Sequence, residues 1–192
     1  MIIPLKTRFL DLDEEAFFLF CQDVREAQVE READGTIIIM DPTGADSSNL
    51  NAEVTTEVAI WNRETRQGKT FDSNGGFTLP NKAVRSPDTA WVALDRWLAL
   101  PPDDRKRFAH ISPDFVVEIR SENDDTDRLH DKMAEYQANG VRLGWLIDPQ
   151  TQQVWIYRAD GSISHVPDFD TPLSGEDVLT GFELRLWELW EG

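Results

Sequence analysis

Sulfur, basic charge and long apolar runs are all scarce in this chain of 192 residues. Its single cysteine, Cys21, cannot close an internal disulfide, and the setting Phe17-Phe18-Leu19-Phe20-Cys21 reads as a small buried hydrophobe, which sets redox chemistry aside. Nowhere do about 18 apolar residues follow one another, and the first residues place acids where a signal peptide needs a positive end and an unbroken apolar stretch. The expectation is a soluble, unexported, cytoplasmic protein with no membrane partner. Lys and Arg number 19 against 36 Asp and Glu, a formal charge of −17. Phosphate backbones are bound through Lys and Arg that release counterions, so this balance weighs against nucleic acid as a partner. It leaves room for a local basic rim, or for metal ions that meet the phosphate themselves. His110, His130 and His165 have no ligand spacing, which makes Zn²⁺ improbable, and His130 is expected to face solvent. Neither a G-x-S-x-G elbow nor a glycine pattern for a P-loop or dinucleotide is present.

What is there reads as one α+β domain spanning 1–192, with a mixed central sheet flanked by helices. A short first helix is predicted over 13–22, then two strands joined at Asp34-Gly35, the second ending at Asp41-Pro42-Thr43-Gly44. Over 49–64, Leu50, Val54, Val58 and Trp61 recur at helical spacing. Glu57 falls on the same side and Glu53 beside it, and a carboxylate so close to an apolar stripe needs solvent or a partner. A hairpin around Asn74-Gly75-Gly76 is expected next, followed by a strand over 88–93, a short helical piece and a strand over 114–120. Residues 125–139 form the clearest helix, with Leu129, Met133 and Tyr136 on one face, a cap near Asp125 and a stop at Gly140. A C-terminal hairpin follows, turning at 149–152, with Trp145, Trp155 and Tyr157 as core or dimer surface; a third strand over 163–166 extends it. Residues 167–175 read as a surface loop, and the tail to Trp190 as an extended piece ending in a helical turn.

The residues able to carry chemistry concentrate around SPDFVVEIRSENDD, Ser112 to Asp125. Alternation puts Asp114, Val116, Glu118 and Arg120 on one face of the strand, but Asp114 and Glu118 are roughly 13 Å apart at the strand rise and cannot share one ion. A second carboxylate has to come from a neighbouring strand about 5 Å away, and Asp88, following Pro87, is the best donor. Simple strand-end acids account for these two residues equally well. On the following helix Lys132 falls about 60° from Leu129, on the side of Tyr136, with Arg128 one turn earlier. It either reaches back to that carboxylate pair or snorkels along a solvent edge. Arg105, Lys106 and Arg107, with Arg85 and Arg120, form a candidate set of phosphate contacts.

Several blocks together resemble one family: VEREADGTIIIMDPTG, the Asn51-Ala52-Glu53 helix start, TFDSNGGFTLPNKAVRSPDTAWV, SPDFVVEIRSENDD, KMAEYQANGVRLGWLIDP and VWIYR. The chain is similar to the Uma2 endonuclease family, the DUF820 group of the PD-(D/E)XK nuclease-like superfamily. That resemblance implies a restriction-endonuclease-like core with extra N-terminal strands, and a Mg²⁺- or Mn²⁺-dependent DNA endonuclease. It implies Asp88, Glu118, Lys132 and Glu53 as catalytic residues, with Glu57 as the alternative to Glu53. The ion would be held by Asp88, Glu118, Glu53 and the Ile119 carbonyl, and Arg120 and Arg128 would meet phosphate. Glu30 matches a recurrent family acid. The superfamily pattern expects a lysine two residues after the glutamate; here that position is Arg120, which cannot accept a proton at ordinary pH, and Lys132 takes the place of the amine. Related nuclease folds that cut two strands imply a homodimer. The alternative is a catalytically weak or inactive homodimeric interaction protein that keeps the nuclease fold.

Overall fold

The computed structural model describes residues 3–5, 12–24, 27–40 and 42–190; Asp41, read above as the first residue of a turn, and most of the N-terminal segment lie outside them. In chain order the elements are β1 (Ile3–Leu5), α1 (Glu14–Asp23), β2 (Gln28–Arg31), β3 (Ile37–Met40), α2 (Ala45–Thr65), β4 (Gly68–Asp72), β5 (Phe77–Thr78), β6 (Val84–Arg85), β7 (Thr89–Ala93), α3 (Leu94–Ala99), β8 (Phe115–Ile119), α4 (Thr126–Ala138), β9 (Leu143–Asp148), β10 (Gln153–Arg158), β11 (Ile163–Val166), β12 (Leu173–Ser174), β13 (Glu183–Leu184) and α5 (Leu186–Trp190). The larger sheet runs β11-β10-β9-β8-β7-β4; a smaller one runs β1-β3-β2-β6-β5. The larger sheet is mixed, because β8 and β9 pair in parallel across α4 while its other pairs are antiparallel.

Burial explains why β8 and β9 are apolar along nearly their whole length. On one face α2 lays Leu50, Val54, Val58 and Trp61 against Phe115, Val117, Ile119 and Trp145; on the other, Met133 and Tyr136 of α4 meet Val116, Leu146 and Tyr157. Strands covered on both faces lose the polar half of the alternation, which makes Glu118 conspicuous. Asp125 caps α4 by accepting from the Asp127 and Arg128 amides, and Gly140, at φ 95°, takes the left-handed conformation that ends it. Gly144 leaves room for the end of Met133 from α4, since a Cβ there would stand 2.6 Å from Met133 Cε.

Several local expectations shift. The glycines at 75–76 do not turn a hairpin: β4 pairs with β7 in the larger sheet and β5 with β6 in the smaller one, so the chain changes sheets there. Residues 167–175 are not a surface loop throughout, because Phe169 and Leu173 are buried and β12 pairs with β13. α2 begins a turn earlier than its apolar stripe, at Ala45. Cys21 is half-buried against the small core beneath α1, and burial pushes its thiol up to about 11, in keeping with an inert side chain. No helix among the described residues is long and apolar enough to cross a membrane.

Candidate active site

The chain passes from the smaller sheet to the larger one within four residues: Arg85 closes β6, Ser86 and Pro87 follow, and Asp88 precedes β7. A proline suits this step, because it has no amide to leave unpaired where one ladder stops and another begins. At this seam lies a cleft of about 1140 Å³ lined by Glu30, Arg85, Asp88, Glu118, Ile119 and Lys132 among others.

Register brings the two carboxylates together. Thr89 pairs with Val117 and Ala90 with Val116, so Asp88 stands one step beyond, opposite Glu118. Asp88 Oδ2 accepts the Ile119 amide at 2.7 Å, and its Oδ1 accepts Asn51 Nδ2 at 3.0 Å. Glu118 Oε1 accepts the Tyr136 hydroxyl at 2.9 Å and meets Lys132 Nζ at 2.8 Å. Both contacts fall on one oxygen, Oε1. Lys132 Nζ also contacts Glu30 Oε1 at 3.0 Å, so the ammonium bridges an acid from each sheet.

The electrostatics are uneven across this small volume. Burial pushes Glu118 up to about 7, with the charges of Asp88 and Glu30 adding to it against the pull of Lys132. Burial also raises Asp88, to about 6, despite the hydrogen bond from Ile119. Glu30 goes the other way: burial works against its charge, but Lys132 and Arg85 outweigh it and hold the carboxyl below its ordinary value. For Lys132, burial alone would lower the amine, and Glu118 and Glu30 more than reverse that. The two carboxylates thus favour the charged form of the amine.

Of the predicted site residues, Asp88, Glu118, Ile119 and Lys132 meet here with Glu30, while Glu53 and Glu57 are not in the cleft wall. The helical count gives the reason. Asn51 points from α2 at Asp88, and Glu53 is about 200° further round and Glu57 about 240°, both on other sides of the helix. Asn51 is the residue that sequence reasoning passed over. Its signal was Thr55 one turn on, whose hydroxyl reaches Asn51 at 3.3 Å and Thr89 at 2.6 Å, making a polar edge beside the apolar stripe. Tyr136 was placed on the buried face without its role as donor to Glu118.

Of the candidate basic set, Arg85 and Arg120 line the cleft, and Arg105, Lys106 and Arg107 are not among its lining residues. Arg85 is buried among glutamates, Lys106 pairs with Asp103, Arg107 with Glu15, and Arg120 with Asp148 at 2.9 Å. Arg128, on the cleft rim, pairs with Glu32 at 3.3 Å. His130 does not face open solvent: it is half-buried, edge-on to Trp155, and hydrogen-bonded to the Tyr157 hydroxyl. Asp114 lies at the far end of β8, accepting the Ala93 amide and pairing with Arg96.

Comparison with curated proteins returns no match. Among solved structures, one similar to this chain is a crystal structure titled as a "putative nuclease belonging to DUF820" from Anabaena variabilis. It is 20% identical, with a TM-score of 0.71, and the match covers 85% of this chain and 89% of that one. This likeness establishes the shared nuclease-like fold. The Uma2 family, described as "Putative restriction endonuclease", matches residues 14–186, nearly the whole chain, and this protein belongs to that family.

Proposed function

We propose that the protein is a divalent-metal-dependent DNA endonuclease that hydrolyses phosphodiester bonds in the cleft between its two sheets. The observation that carries this reading is the pairing of Asp88 opposite Glu118 at a strand junction, with the Lys132 ammonium 2.8 Å from Glu118. The donor set suits Mg²⁺ or Mn²⁺. All its members are oxygens: Asp88, Glu118 Oε2 and the carbonyl of Ile119, which leaves the strand on the same edge as the amide that meets Asp88. Burial is the main reason both carboxyls are raised, and a cation between them would favour their charged forms. Bound there, the ion would supply Lewis-acid polarisation of the phosphoryl group and of the attacking water.

The chain's own residues do the rest. Asn51 and the Ile119 amide orient Asp88; Tyr136 and Lys132 hold Glu118. Lys132, held as an ammonium by Glu118 and Glu30, would neutralise charge developing on a phosphoryl oxygen. Arg120 and Arg128 reach phosphate from the rim by exchanging their carboxylate partners for it. Plasmid nicking with Mg²⁺ tests the reading: activity that disappears in Asp88→Asn and Lys132→Ala supports it, and activity equal in all variants assigns the cutting to a contaminant.

One observation favours a second reading, a catalytically weak or inactive homodimeric interaction protein. Acidic residues dominate the cleft wall, and its four basic side chains, Arg85, Arg120, Arg128 and Lys132, are all ion-paired. Titration with Mn²⁺ separates the two: a saturable signal removed by Glu118→Gln belongs to the nuclease, and the absence of any signal to the interaction protein.

A further inference from the structure

Arg85 is only 5% exposed at its side chain, too enclosed to meet a substrate, yet it stands at the centre of the acids around Lys132. Its Nε donates to Glu135 Oε2 at 2.6 Å, Nη1 to Glu30 Oε2 at 3.2 Å and Nη2 to Glu32 Oε2 at 2.5 Å. One of these acids, Glu30, contacts Lys132 directly, and another, Glu135, stands on the same helix. Glu30 offers its other oxygen to the Lys132 ammonium, and that oxygen is fixed by the Ser86 amide at 2.9 Å. Glu135 lies three residues along α4 from Lys132 and is steadied by Asn81 at 2.8 Å. Arg85 and Ser86 therefore grip both oxygens of Glu30, and Arg85 ties that carboxylate to the helix carrying the lysine.

A guanidinium fork can do this where an ammonium cannot, because its donors lie in one plane and reach several carboxylates at fixed angles. Remove it, and Glu30, Glu32 and Glu135 are left with Lys132 as the nearest buried cation. The ammonium is then drawn toward them and away from Glu118.

We propose that Arg85 is a positioning residue that sets how Lys132 is shared between Glu30 and the Glu118 side of the cleft, where the reaction takes place. The proposal rests on the nuclease reading for its kinetic consequence, but its structural consequence stands apart from it. The test uses the full chain as Arg85→Met, Arg85→Lys and the double variant Arg85→Met with Glu135→Gln. Two readouts are taken: kcat and KM for Mg²⁺-dependent DNA cleavage, and the nitrogen NMR resonance of the Lys132 ammonium in lysine-labelled protein.

Since a displacement of about 1 Å can cost ~10²-fold in rate, Arg85→Met is expected to lower kcat by roughly 10- to 100-fold, leave KM within about 3-fold and shift the Lys132 resonance. Removing one competing charge with Glu135→Gln should return about 10-fold of the lost rate, which a merely structural role for Arg85 would not allow. Arg85→Lys keeps the charge without the fork, so it should also shift the resonance and lower kcat; it decides the matter should Arg85→Met fail to fold. A folded Arg85 variant with unchanged kcat and resonance overturns the proposal, as does a rise in KM alone, which would make Arg85 a phosphate contact. If wild-type protein does not cut DNA, the nuclease reading fails, and the resonance in Arg85→Lys still decides this one: a shift upholds it and no shift ends it.

Discussion

Asp114 immediately precedes β8 and Glu118 is its fourth residue; both are buried, and they are opposite kinds of acid. Asp114 is met by an amide and by two arginines, Arg96 at 2.8 Å and Arg142 at 3.7 Å. Around Glu118 are one ammonium and one hydroxyl, but also the carboxylates of Asp88 and Glu30, and its carboxyl is pushed up to about 7. Depth does not separate them; the sign of what surrounds them does. Asp114 is electrically complete and serves the fold by pinning the start of β8 to α3 and β9. Glu118 is left short of positive charge, and such a deficit is characteristic of sites tuned for a ligand or a reaction.

The sharpest way to break the contrast is to neutralise each acid in turn and measure cutting. On the nuclease reading, Glu118→Gln should lower Mg²⁺-dependent nicking by about 10³-fold or more, since ion-derived stabilisation of the transition state is lost with it, while Asp114→Asn should stay within about 3-fold. A smaller effect shows in stability. Asp114→Ala leaves a buried amide and two half-exposed arginines without their acceptor, so urea denaturation should show a loss of about 2 kcal/mol. Glu118→Gln should cost little in metal-free protein at pH 8, or raise its stability.

The smallest effect is a pH dependence. Glu118 in the folded protein sits at about 7 against an ordinary 4.5, and Asp88 at about 6 against 3.8, so between those limits the folded state holds more protons than the unfolded one. Stability from these groups is full below about pH 4 and is lost as pH rises toward 7. The metal-free protein should accordingly melt lower at pH 8 than at pH 5, and Glu118→Gln should flatten the trend. Mn²⁺ should raise the melting temperature by several degrees at pH 8 and by less at pH 5, with ~1 kcal/mol worth about 2–4 °C in a chain of this size. A metal effect independent of pH would separate binding from these two carboxylates.

Much of this was legible in the sequence because it follows from periodicity. Alternation along β8 assigned Glu118 its face, the strand rise excluded Asp114 as its partner and strand spacing pointed to Asp88; the helical count set Lys132 beside Tyr136, and the family resemblance joined the three. The readings that failed depended on which elements become neighbours. Nothing local distinguishes Asn51 from Glu53 until α2 is seen to present Asn51 to the seam. Arg105, Lys106 and Arg107 look like a patch in one dimension, but Arg107 meets Glu15 of α1 only through tertiary packing. Glycines at 75 and 76 announce a turn, and no local rule tells a hairpin from a change of sheet.

That change of sheet recurs between Arg85 and Asp88, where two residues separate a guanidinium rooted in the smaller sheet from a carboxylate serving the larger one. So short a strut works like the pivot of a pair of pliers. Any tilt of the smaller sheet would be passed on to Asp88 through Ser86 and Pro87 and to Lys132 through Glu30, so the two would shift together.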